Sequence, residues 1–195
     1  MRAHPPLASA KTWARVVAPA LVAAALGAHA GGLTQVATVD VGPRVAVIAT
    51  ARGGESHADS GRVVVRYLDR TRTGLRRSAA PEVSEGRASW GAAPAWKVRS
   101  DLADAPVVAI TGGGTWQGVT CIWTALVELD INAPREILVA LTLHSSESGA
   151  GDYQARVARD GRGMKLVYSG AIRRTIRLRR VDRELVPDTS LPMEC

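Results

Sequence analysis

The chain has 195 residues, with 25 Lys or Arg against 18 Asp or Glu and a formal charge of +7. That length supports one sizeable core and falls short of two comfortable domains. Arg greatly outnumbers Lys, Phe is absent and Asn132 is the only asparagine. The basic balance therefore follows a general bias in residue usage, and nucleic acid is not the expected partner.

The N-terminus reads as a secretory signal peptide. Arg2, Lys11 and Arg15 precede the apolar stretch Val16 to Leu26, and Ala28-His29-Ala30 supplies a small-x-small cleavage site. Pro19 interrupts the apolar run, which is well short of the roughly 20 residues that span a bilayer. We expect residues 1–30 to be removed, leaving one exported domain, 31–195, that is periplasmic or extracellular and not an integral membrane protein. Losing the three cations lowers the formal charge from +7 to +4.

Beyond Gly31 the apolar pattern has period two, which predicts strands. They run from Arg44 to Thr50 and from Arg62 to Asp69 around the polar turn 53–61, then from Val107 to Thr111 and Val119 to Asp130 around the Gly-rich turn 112–118. Further strands are expected over Glu136 to Leu143, Asp152 to Arg159, Met164 to Tyr168 and Ile172 to Val181. Ser78 to Ala95, rich in Ala, Pro, Ser and Gly, reads as a long loop that Trp90 and Trp96 anchor. The fold expected is all-β: an antiparallel meander of repeated hairpins, arranged as a β-sandwich or a partial propeller-like sheet.

The hairpins resemble one another. Laying Asp40 on Asp101 also matches Thr50 with Thr111, Gly53 with Gly114, Leu68 with Leu129 and Asp69 with Asp130, and a weaker copy begins by placing Thr50 on Thr142. Units with an Asp before an apolar strand, a Gly-rich turn and a strand ending in Leu-Asp resemble the FG-GAP or VCBS blades of secreted β-propellers. The block Gly112 to Thr124 is similar to a motif of uncharacterised exported bacterial proteins. The resemblance implies a repeated β-hairpin module without calcium, because the alternating acids of an FG-GAP calcium loop are missing.

Cys121 and Cys195, the only cysteines, are disulfide candidates in an exported chain. The alternatives are a buried thiol at Cys121 and a free terminal thiol at Cys195. For chemistry there are two turn histidines, His57 and His144. With Asp59 or Glu147 they outline a zinc site or, with Ser56, a hydrolytic centre. Hairpin loops use the same residues to satisfy their own backbone, so no metal or cofactor is expected and a binding or structural module of the cell envelope is preferred to an enzyme.

Two features remain as candidate contacts. Trp116 and Gln117, on the Gly-rich turn, offer an indole face and an amide to a saccharide, unless Trp116 folds back as a lid beside Trp123. Between Asp152 and Glu184 ten Arg or Lys face four acids, and alternation sends Arg173, Arg177 and Arg179 to one face and Ile176 and Leu178 to the other. That face suits an anionic envelope polymer or an acidic protein; the other reading is an edge strand kept from self-pairing by its charges.

Overall fold

The computed structural model describes residues 33–54, 59–87 and 92–195, so the expected signal peptide, His57 and Trp90 lie outside the described residues. The elements are all strands: β1 (Leu33–Val41), β2 (Arg44–Ala51), β3 (Arg62–Thr71), β4 (Gly74–Arg77), β5 (Val83–Glu85), β6 (Ala95–Arg99), β7 (Val107–Trp116), β8 (Val119–Leu129), β9 (Pro134–Ser146), β10 (Tyr153–Asp160), β11 (Gly163–Gly170), β12 (Thr175–Val181) and β13 (Glu184–Pro187). Every pairing is antiparallel. One sheet has the order β1-β2-β3-β4, with β5 also on β3, and the other runs β13-β12-β11-β10-β9-β8-β7-β6. Neither sheet closes into a barrel.

Two cores lie on opposite sides of β7 and β8. Val108, Ile110, Ala125, Val127 and Leu129 face the first sheet, where Val39, Ala46, Ile48, Val63, Val65 and Tyr67 meet them. Val107 and Leu126 point the other way, into a core with Ile137, Leu141, Met164, Leu166, Ile176 and Leu178. The second sheet folds over itself to make that core. β9 and β10 pair only at Tyr153 with His144 and Gln154 with Leu143, and beyond these pairs the last four strands return across β8 and β9. A strand buried on both faces needs an unbroken apolar run, and Ala125-Leu126-Val127 supplies it.

The two sheets are also stitched by polar contacts. Trp96 Nε1 donates to Thr50 Oγ1 at 3.0 Å, and the Tyr67 hydroxyl donates to the Asp130 carbonyl at 2.6 Å. Trp96 thus belongs to a strand of its own and to the inter-sheet core, rather than holding a loop. The expected loop from Ser78 to Ala95 contains β5, whose three residues are too few to show a period but pair with Val63 to Val65 of β3.

The hairpins β2–β3 and β7–β8 pair alike. Thr50 faces Val63 and Thr111 faces Thr124, the positions superposed when Asp40 is laid on Asp101. The Gly112-Gly113-Gly114 run, expected as a turn, is extended strand inside β7. The reason is close approach: a Cβ at Gly112 would run into the Arg87 carbonyl, and one at Gly113 into that of Cys121. The turn itself is Gln117-Gly118, both with positive φ (49° and 79°), the geometry of a two-residue hairpin loop that follows the strand twist.

Glu85 is buried between the sheets, hydrogen-bonded to Glu136 of β9 and accepting from Arg87 Nη1 at 2.6 Å. Burial, then the Glu136 carboxyl, push its pKa up to about 7, against the pull of Arg87. The folded protein therefore binds this proton more tightly than the unfolded chain. Its stabilising contribution is complete below the ordinary value of 4.5 and is lost as pH rises to about 7. Relative to a Glu85→Gln variant, the unaltered protein should lose roughly 1–3 kcal/mol between about pH 4.5 and 7.5, read from denaturant midpoints. A constant difference across that range would remove Glu85 as the titrating group.

Candidate functional site

The outer face of β10, β11 and β12 carries a group of exposed and half-exposed cations. Burial alternates along β12: Ile176 and Leu178 are buried while Thr175, Arg177 and Arg179 are exposed. The neighbouring strands extend this surface in register. Arg177 lies beside Lys165, and Lys165 beside Ala158, while in the next row Thr175 lies beside Val167 and Val167 beside Arg156. Arg156, Lys165, Arg177 and Arg179 thus share the outer face of three strands, backed by Met164, Leu166, Ile176 and Leu178.

Acids offset only part of this charge. Asp160 reaches Arg177 Nε at 3.4 Å and Lys165 Nζ at 3.9 Å, and the Asp188 carboxylate accepts the Arg177 backbone N–H at 3.1 Å. The Arg156 and Arg179 side chains are exposed and have no hydrogen-bond or ionic partner among the described residues. Arg156 was not singled out in the sequence. The exposed alternation Gln154-x-Arg156 was its only signal, and its place beside the β12 cations depends on pairing through β11.

Two sequence expectations need correction here. Arg173 is exposed but precedes β12, because the chain is still turning there: Gly170 has a φ of 104°, the Tyr168 N–H donates to the Arg174 carbonyl, and Ile172 packs inward on the core. β12 is also not an edge strand. Val181, Arg180, Arg179 and Leu178 pair with β13, a four-residue strand ending in Pro187 and too short to read from the sequence.

The other candidates lie at the end of the molecule where β7 meets β8. Trp116 is 73% exposed at the last position of β7, beside the exposed Gln117, so its indole does not cap the core. Cys121 and Cys195 form a disulfide, with Cα atoms 6.0 Å apart, that ties the last residue to β8.

His144 is not in a turn. It lies on β9, opposite Cys121 and Tyr153, and its ring stacks on Tyr153 with centroids 5.5 Å apart. Its Nδ1 is buried without a hydrogen-bond partner among the described residues. The adjacent hydroxyls are engaged elsewhere: Ser145 Oγ donates to Asp152 at 3.0 Å and Ser146 Oγ to the Ala150 carbonyl at 3.1 Å, while the Ser146 N–H donates to Asp152 at 2.7 Å. The Ser146 N–H is the main reason the Asp152 carboxyl is held below the usual carboxylate range. Among the described residues no three His, Cys, Asp or Glu side chains cluster in a way that would hold a metal ion.

Compared with family models, curated proteins and solved structures, the chain matches none. The assignment of function therefore rests on the geometry above. Among the described residues no helix is long and apolar enough to cross a membrane.

Proposed function

We propose that the protein is an exported β-domain that binds an anionic polymer of the cell envelope through the outer face of β10 to β12. The observation that carries this reading is the outward-facing group of cations on β10 to β12, in which the Arg156 and Arg179 side chains have no partner among the described residues. A strand face repeats at about 6.6–6.8 Å between alternate residues and about 4.8 Å between strands, a spacing that meets a chain of anionic groups at several points at once. The disulfide from Cys121 to Cys195 supports export, because such bonds persist in oxidising compartments. The shared register of β2–β3 and β7–β8 supports an origin of the hairpins by duplication.

Replacing Arg156, Arg177 and Arg179 together by Gln should weaken retention on an acidic polysaccharide by at least about tenfold, given roughly 1 kcal/mol per cation at an anionic surface. Raising salt should weaken the unaltered protein in the same way. The β-sheet spectrum should not change, since all three side chains point to solvent. Unchanged retention by a folded triple variant would overturn the proposal.

A further inference from the structure

β1 is one edge of the first sheet, pairing only with β2 among the described residues. It differs from the other sheet edges in having almost none of the devices that stop a strand from recruiting another chain. β4 has four residues, two of them Arg; β6 carries Lys97 and Arg99; β13 has four residues and ends in Pro187. β1 has nine residues, with no Lys, Arg or Pro. Its one charge, Asp40, is paired with Arg70, and Val36 is 46% exposed. A bulge between Thr34 and Val36 interrupts only its start, and from Val36 to Val41 the register with β2 is unbroken.

The hairpin geometry shows which backbone groups lie on the free edge. Val41 faces Arg44 across the two-residue Gly42-Pro43 turn, and Gly42 has the positive φ (57°) that a II′ turn requires at its first central position. The pair closing such a turn exchanges both backbone hydrogen bonds, as do alternate pairs beyond it, here Val39 with Ala46 and Ala37 with Ile48. The N–H and C=O groups of Val36, Thr38 and Asp40 consequently point away from β2.

We propose that this edge pairs with the same edge of a second copy of the chain, antiparallel and with Thr38 opposite Thr38 of the other copy. In that register Asp40 faces Val36, no like charges oppose one another, and the central Thr–Thr pair is favourable. Two-fold pairing of one patch with itself is the commonest way soluble chains dimerise. Charge placement favours a second copy as the occupant. The first sheet covers one face of β7 and β8 and the cationic strands β10 to β12 lie beyond the other, so two copies meeting at β1 keep those strands apart. The dimer presents two basic faces, although its existence does not depend on what those faces bind.

Sedimentation of the purified protein across the micromolar range tests this directly. Twice the chain mass is expected at high concentration, falling to the chain mass on dilution. Val36→Glu, which sets a carboxylate opposite Asp40 of the other copy, and Thr38→Pro, which removes an outward N–H, should each remain at the chain mass with an unchanged β-sheet spectrum. Should Thr38→Pro disturb the spectrum, Val36→Glu decides. A Thr38→Cys variant should yield a covalent dimer on oxidation, because directly opposed residues of a hydrogen-bonded pair have Cα atoms about 5.5 Å apart. A protein of chain mass at every concentration, or a dimer that survives Val36→Glu, overturns the proposal, and failure of Thr38→Cys to crosslink overturns the register.

Discussion

A Cys195→Ser protein should be less stable than the bonded form by about 4 kcal/mol. The bond between Cys121 and Cys195 spans a sequence separation of 74 residues. In the chain-entropy account, releasing a loop of that length restores about that much free energy to the unfolded ensemble. The native state also loses a tether, because Leu191 of the terminal segment packs against the core of β8 to β12. For a domain of this size the midpoint of thermal unfolding should fall by roughly 8–16 °C, measured without reductant. Cys121→Ser should behave similarly, and adding reductant should lower the unaltered protein towards both. A loss below about 1 kcal/mol would mean that the tail contributes little once folded.

Glu128→Gln should cost about 3–5 kcal/mol, the usual consequence of removing one partner from a buried ion pair. Glu128 is 6% exposed on β8 and accepts both Arg180 Nη atoms, at 2.6 and 3.0 Å, as well as Arg135 Nη2 at 3.3 Å. Arg180 comes from β12, so this fork joins the folded-over strands to the middle of the molecule. The amide keeps the shape but removes the charge, leaving two partly buried guanidinium groups without this counter-ion. Replacing Glu128 by Gln and Arg180 by Met together should recover part of the loss, and the non-additivity in urea midpoints isolates the pair. A single-variant loss under about 1 kcal/mol would show that water reaches the fork and screens it.

The sequence discloses what period two encodes and conceals what depends on distant partners. Ile176 and Leu178 against Arg177 and Arg179 could be divided between faces from spacing alone, because β12 has one wet and one dry side. Leu33 to Val41 does not announce itself as a strand, since its polar Thr34, Gln35 and Thr38 dilute the pattern and glycines precede it. The triple glycine in β7 looked like a turn because a missing side chain signals either freedom or crowding, and only the passing carbonyls of Arg87 and Cys121 distinguish the two. The union of Glu128 with Arg180 arises from the fold-over after β9, and that of Arg156 with the β12 cations from pairing through β11. A single strand's pattern carries no record of that.

The link from Cys121 to the chain's last residue also governs what a protease can accomplish. Every peptide bond from residue 122 to residue 194 lies inside the closed loop, including the exposed turns after β9, β10 and β12. A single cut at Gly149 or Arg162 therefore yields a nicked particle rather than two fragments, with the cationic strands still attached to β8. Shedding them requires a second event, either reduction or another cleavage, so the molecule tolerates one hydrolytic injury across more than a third of its length.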